Sequence, residues 1–507
     1  MSRYVIAHRL SSGVERLQPL KIVTAALAGP AGFAPTHDES AGAAESEDPA
    51  HTTLVETDAS EIERRRQTLA DDVIVEEEAP RWPALFRPGA NLPIASAPDV
   101  PAGVGGAIDV ALNGANVPID SALVQLSLAS PRFPMTTSVA RRTDGEGAAA
   151  LPYDPRNWVP VSLTIVPKSG SWPIVLPVRD RRVPVTLTPL PRTGPLGWWH
   201  LAVGATAPET AGEGIRVGVI DTGVGPHPYL NHVKRAGAII NGDRLTGPDD
   251  TNDVADHGTH VSGTIGARPD PRSGDFRGIA PAAELVAVRV YPGGGPPGFE
   301  SGGATNNDIS LAMTMLSRDE QCDIINISSA GMSRSELEAD RLTAAVNRGT
   351  IVICAAGNGG GPPVLFPGAA ADAVAVSALG FLGCEPAPLE MLVRPQQFDR
   401  YAFGYYSPSF SSFGPEVRCA APGVGVIATV PTDAGATPAY AAMSGTSMSA
   451  PVISGVLAAL LSRDSRYRSL GRTKERSAYA WTVLARCLRT LGLAPWYQGL
   501  GIARQDG

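Results

Sequence analysis

The sequence predicts an α/β protein with a parallel central sheet, preceded by a small α/β unit and a β-sandwich. Three observations predict it. From about residue 196, near-continuous apolar runs alternate with helical stretches. Residues 103–190 hold many short β-type runs and no helical pattern. Residues 1–77 read as strand, strand, helix, strand.

The runs IRVGVID, LVAVRV, DIINIS, TIVICAA and AVAVSAL fit parallel strands buried on both faces. The stretches NNDISLAMTMLSRD and SRSELEADRLTAAVNRG between them have helical spacing, which makes a layered α/β architecture over 196–504. In the 103–190 unit, AIDVAL, ALVQLSL, VSLTIV, WPIVLPV and VPVTLTPL read as sandwich strands, with Asn113-Gly114 as a hairpin turn. In the first unit RYVIAHR, TTLVET and DVIVEEE read as strands, and Ser60 with Glu63 makes a capping-box pattern before a helix. Residues 33–51, rich in Ala, Gly, Ser and acid, read as a surface loop, and 78–102 as a proline-rich linker.

Composition narrows the function. A net charge of −8 argues against a nucleic-acid partner, which calls for a basic face. The first residues lack an apolar signal core and no apolar run reaches membrane-spanning length, so a cytoplasmic protein with no membrane partner is expected. Five cysteines without CxxC spacing read as free thiols.

Chemistry gathers where apolar segments end. Asp221 closes IRVGVID, in position either to cap the next turn or to act as an acid. His257 precedes a glycine at the start of a small-residue helix and reads as a base; His260 reads as a packed helix residue, because the pair lacks the Glu of an HExxH metal site. Asn358 follows the run VICAAG and serves either a left-handed turn or an oxyanion. Val452, Ile453, Val456, Leu457, Leu460 and Leu461 recur at helical spacing, so a buried helix begins near Ser447. The helix terminus offers that serine free N–H groups, and Pro451 fits only in a first turn. Ser444, Ser449 and Ser454 read as loop and packing residues. Acyl transfer needs an Asp, His, Ser and oxyanion-donor set of this kind.

These motifs resemble the subtilisin family of serine peptidases: VIDTGV (219–224), HGTHVSGTIG (257–266), GTSMSAP (445–451) and AAGN (355–358). The resemblance covers 196–504 and implies a subtilisin-like three-layer fold. It implies Ser447 as nucleophile, His257 as base and acid, Asp221 as its orienter and Asn358 as oxyanion donor. INISSAG implies that Ile327, Ser328, Ser329, Ala330 and Gly331 bind an extended peptide as an added strand, and the resemblance implies that Ala355, Ala356 and Gly357 also bind substrate. Leu365, where glycine is common, implies a shallow primary pocket. Ser449 and Val452 depart from the alanine and histidine common after the nucleophile; 380–407 looks inserted.

The implied function is endopeptide hydrolysis of peptide or protein substrates. Residues 1–77 resemble an inhibitory propeptide, and 103–190 a carboxypeptidase-regulatory or transthyretin-like domain. The N-terminal region is then an intramolecular inhibitor, with 190–199 as the most loop-like junction for processing. Calcium is frequent in the family, but no ligand motif accompanies it here and no cofactor is established. The alternatives are a peptide-binding protein without catalysis and a maturase dedicated to one partner.

Overall fold

A computed structural model of the chain describes residues 2–12, 35–37, 52–66, 72–86, 105–114, 117–206, 209–298, 300–433 and 435–505. Seven parallel strands form the middle of its largest sheet. Their order is Lys234–Ile240, Glu284–Arg289, Arg216–Asp221, Ile324–Ile327, Ile351–Ala355, Val374–Phe381 and Val417–Pro422. Arg216–Asp221 comes first in sequence and has later strands on both sides, so the strand order reverses beside it and a crevice opens at its carboxyl end.

The helix Thr446–Leu461 packs across five of these strands, and Leu460 alone of its residues is not fully buried. A helix apolar on every side belongs in a core. Val452, Ile453, Val456 and Leu457 are fully buried in it, each contributing roughly 1.5–3 kcal/mol of burial. Pro451 is not in the first turn, as expected from sequence, but in the second. Lacking an N–H, it leaves the Ser447 carbonyl without its helical donor. The Ser328 hydroxyl takes that place, donating to Ser447 O at 2.9 Å.

The N-terminal sheet has the order Pro35–His37, Thr52–Thr57, Ser2–His8, Val73–Glu77, with the helix Ala59–Arg66. Asp58, not Ser60, caps that helix: its Oδ1 accepts the Ser60 N–H at 2.9 Å, and Ser60 lies inside the first turn. Apart from 35–37, the acid-rich stretch 33–51 lies outside the described residues. The sheet docks on the large unit through Val5, Ala7, Leu54 and Ile74 around Leu337. Glu76 receives the N–H groups of Glu336 (2.7 Å) and Leu337 (3.2 Å), placing a carboxylate at the start of the helix Glu336–Asn347.

Two four-stranded sheets spanning 106–187 share one core. Ile108, Val110 and Leu112 of one face Val124, Leu126 and Leu163 of the other. Asn113-Gly114 does not form the turn. It pairs within the ladder to Pro118 and Val117, and 115–116 lie outside the described residues. The stretch 78–102 is more than a linker, because Pro80–Pro83 is a strand. The stretch 380–407 carries the helix Ala387–Val393 and two short strands, one pairing with Val374–Phe381.

Among the described residues no helix is long and apolar enough to cross a membrane. All five cysteines are free thiols, and burial pushes the Cys384 thiol up to about 12.

Candidate active site

Asp221 ends its strand at the crevice, and His257 begins the helix His257–Gly266 beside it. The two meet at 2.6 Å between His257 Nδ1 and Asp221 Oδ1, both buried. The Thr222 N–H donates to the same oxygen at 2.7 Å. A carboxylate accepting at Nδ1 puts the proton on that nitrogen and leaves Nε2 to act as base. His257 Nε2 has no hydrogen-bond partner among the described residues. The helix can start this close to Asp221 only because Gly258 has no side chain, since a Cβ there would meet Gly223 O at 2.1 Å. His260 is packed: its Nε2 faces Val426 O and Ala441 O, and burial lowers it to about 3. Among the described residues no group of three or more His, Cys, Asp or Glu side chains could hold a metal ion. The calcium allowed by resemblance therefore has no carboxylate cluster there to fit.

Ser447 is the second residue of its helix, where backbone N–H groups have no helical acceptor. Its Oγ–H donates to Ser328 O at 2.8 Å. Asn358 stands opposite. Its Oδ1 accepts from the Thr446 N–H and Oγ1–H, both at 3.0 Å, and Thr446 Oγ1 in turn accepts the Gly357 N–H at 3.0 Å. These bonds fix the amide so that Nδ2 faces away from Thr446, and Nδ2 has no partner among the described residues. The left-handed conformation of this turn belongs to Gly357, with φ +100, and not to Asn358.

The cleft between these groups is filled by the chain itself. Strand Pro80–Pro83 lies antiparallel between Ala304–Thr305 and Ser329–Ala330, pairing Arg81 with Ala304 and Trp82 with Ala330. Prolines at the two ends of the strand leave its central donors intact. The Ala84 N–H donates to Ser328 O at 2.9 Å, and the Phe86 N–H to Ser444 O at 2.7 Å. Between them, Ala84 O accepts the Ser447 N–H at 3.0 Å. A Cβ on Gly445 would meet Ala84 O at 2.4 Å, so only glycine lets the strand lie this close. The stretch 190–199 takes no part in this: Trp198–Ala202 is a helix, and Trp198 Nε1 donates to Val424 O at 3.1 Å.

Of the residues read as substrate-binding, Ile327 closes a buried strand and Ser328, Ser329 and Ala330 bond or pair with the cleft strand. Gly331 gives room for Arg81: a Cβ there would meet the Arg81 side chain at 2.8 Å. Ala355, Ala356 and Gly357 form the buried wall leading to Asn358. Leu365 donates its N–H to Ala356 O at 2.9 Å and rests its side chain on Gly357. Sequence reading missed Thr446, which orients Asn358, and Arg81 with Glu338, which pair in the cleft. The visible signal was an arginine in a strand-length run between two prolines.

Beyond Ala84 the cleft opens into a cavity lined by Leu85, Phe86, Trp172, Glu385, Leu389 and Val393. Its walls thus include the cleft segment, the paired sheets and the 380–407 stretch, with Ala441–Ser444 of the large unit. Burial pushes Glu385 up to about 8, and Glu390 adds repulsion. Its Oε1 finds no hydrogen-bond partner among the described residues. Below about pH 4 both folded and unfolded states hold this proton. As pH rises the unfolded state ionises first, near 4.3, so stability falls until about pH 8 by up to about 1.4 kcal/mol per pH unit. Glu385→Gln is expected to flatten that decline in thermal unfolding measured from pH 4.5 to 8; an unchanged slope would show that Glu385 ionises normally.

Known proteins resemble the unit that carries the Asp–His pair, the serine at a helix start and the oriented amide. A model of the subtilase family of peptidases matches residues 212–490. M-protease of Shouchella clausii is 33% identical over 247 residues, 49% of this chain and 54% of that protein. Subtilisin Savinase of Lederbergia lenta is 33% identical over 247 residues, 76% of its own length. Thermitase of Thermoactinomyces vulgaris is 29% identical over 268 residues, 82% of its own length. The chain thus spans about half of M-protease and more of the other two, and residues before 212 lie outside the family match. Because that family match covers more than half of the 507 residues, the chain belongs to the subtilase family.

Proposed function

We propose that the chain is a serine endopeptidase made as a self-inhibited zymogen, and that Ala84–Leu85 is the first bond it cuts. One observation carries the reading: Ala84 O accepts the Ser447 N–H at 3.0 Å while the flanking residues hold antiparallel bonds on both sides. An extended chain with its carbonyl at an oxyanion donor is in the pose of a substrate.

The chemistry follows from the residues. Rotation of the Ser447 side chain away from Ser328 O frees its oxygen to attack the Ala84 carbonyl carbon. His257 Nε2 takes the hydroxyl proton, and Asp221 holds the ring and stabilises its positive charge. The oxyanion receives the Ser447 N–H and Asn358 Nδ2–H. The Ala84–Leu85 C–N bond breaks, and His257 returns the proton to the Leu85 nitrogen. Water, deprotonated by His257, then splits the ester, leaving a carboxylate on Ala84 and the Ser447 hydroxyl restored. On this reading residues 2–84 act as an inhibitory propeptide, which blocks the cleft until it is cut and leaves. The sandwich-like unit stays on the enzyme and walls the far side of the cleft. The peptide-binding alternative gives no use to the Asp221–His257 pair or to the free Asn358 Nδ2.

The test is intact mass of wild type and Ser447→Ala, with labelling by a fluorophosphonate probe. Absence of label on the wild type under every activating condition tried would overturn the reading.

The shallow primary pocket follows the same logic. Leu365 rests on Gly357, and the residue presented before the bond is the small Ala84. Cleavage profiling is expected to find small residues there, and Leu365→Gly to admit Phe and Tyr, improving kcat/KM for them by roughly 10- to 100-fold. A wild-type preference for Phe or Tyr would refute the assignment of Leu365.

A further inference from the structure

Arg81 lies four residues before the Ala84–Leu85 bond, and its side chain is wholly buried, as is that of Glu338. Its Nε–H donates to Glu338 Oε1 at 3.0 Å and Oε2 at 3.2 Å, and its Nη2–H to Glu338 Oε2 at 2.6 Å. Nη2 also donates to Ser333 O at 3.0 Å, and Nη1 to Pro80 O at 3.0 Å. Trp82, the next residue, is 42% exposed, so of these two side chains only Arg81 is wholly enclosed.

We propose that Glu338 makes this enzyme selective for arginine at the fourth residue before the bond it cuts, in its own chain and in other proteins. The inference rests on the peptidase reading above. It goes further by naming the substrate class: extended segments with arginine four residues, and a small residue immediately, before the bond.

The physical argument is one of unpaired charge. The pocket around Glu338 is closed to water while arginine fills it. A carboxylate buried there without a cation is costly, and burial already pulls it towards its neutral form while Arg81 opposes this. An aliphatic side chain would leave Glu338 unpaired and the Ser333 carbonyl without its donor. Lysine brings a charge with its donors on a single nitrogen, and does not match two carboxylate oxygens and the Ser333 carbonyl in the planar fork that arginine offers. Gly331 supports the same specificity, because its missing side chain is the space through which the Arg81 stem passes. Glu338 is held from behind: its own N–H donates to the Ser335 hydroxyl at 3.0 Å, and the Ser335 hydroxyl donates to Glu76 Oε1 at 2.6 Å. Glu76 belongs to the N-terminal sheet, but Ser335 and the helix that presents Glu338 belong to the large unit and remain after processing.

The experiment uses the self-processed product of the full-length chain and internally quenched peptides X-Trp-Pro-Ala-Leu-Phe, with X as Arg, Lys, Gln or Leu. Arginine is expected to exceed leucine in kcat/KM by about 100-fold or more, with lysine between them. Glu338→Leu is expected to reverse the order of arginine and leucine. In the full chain, Arg81→Leu is expected to slow self-cleavage, and the pair Arg81→Leu with Glu338→Leu to restore it. Wild-type enzyme that takes the fluorophosphonate label but cuts the leucine and arginine peptides within about threefold of each other overturns the arginine inference. Wild-type protein that takes no label brings down the peptidase reading instead. The wild-type comparison needs no variant to fold, so the result stands even if a substituted chain does not.

Discussion

Ser447→Ala is expected to keep the chain whole, while wild type splits between Ala84 and Leu85 and labels at Ser447. The substitution removes only the attacking oxygen. Ala84 O still has the Ser447 backbone N–H, and the strand Pro80–Pro83 keeps both partners. The cleft segment should therefore stay bound and uncut. Any peptidase activity in trans is expected to fall by roughly a million-fold, the loss seen when the same serine is removed in subtilisin, a relative. The hydroxyl also donates to Ser328 O at 2.8 Å, but that carbonyl keeps the Ala84 N–H, so little stability should be lost. The checks are intact mass, the new amino terminus at Leu85, and probe labelling. A wild-type chain cut elsewhere, above all near 190–199, would refute the assignment of the bond.

Asn358→Leu is expected to lower kcat by about a hundred- to a thousand-fold with KM little changed, the magnitude known for this donor in subtilisin. The reason is that Nδ2 has no partner among the described residues and is expected to gain one when the carbonyl oxygen becomes an oxyanion. The same residue has a second task. Its Oδ1 accepts both donors of Thr446, and leucine leaves them unpaired, at about 1–3 kcal/mol for a buried donor. Asn358→Asp separates the two. It keeps the acceptor for Thr446 and removes the donor, so it should lose kcat comparably but lose less thermal stability than the leucine variant. Equal kcat in wild type and both variants would remove Asn358 from catalysis.

Much of this site was legible in the chain because local patterns carry it. Asp221, His257 and Ser447 each lie where an apolar run meets a glycine-rich turn, and burial on both faces makes such strands continuous apolar runs. The choice among Ser444, Ser447, Ser449 and Ser454 rested on the helix start. The structure gives the others separate bonds: Ser444 Oγ accepts the Gly425 N–H, Ser449 donates to Ala421 O, and Ser454 to Asn326 Oδ1. Local rules misled where a distant group changes the local balance. Pro451 is tolerated in a second turn because Ser328, 119 residues away, supplies the missing donor. Asn113-Gly114 reads as a turn by its dipeptide, yet the ladder to Val117 and Pro118 holds it in a strand.

By itself the sequence singled out the residues proposed to attack, take a proton and hold an oxyanion, and the order in which strands and helices carry them. Periodicity, turn chemistry and motif spacing are short-range properties, and they survive in a linear reading. Only the tertiary structure decided what fills the cleft. Arg81 meets Glu338 across 257 residues, and Ala84 meets Ser447. Nothing local names the partners in these pairs, because a four-residue strand with proline at each end gains its hydrogen bonds only when two separate edges close around it, and a buried carboxylate acquires its meaning from the cation that reaches it.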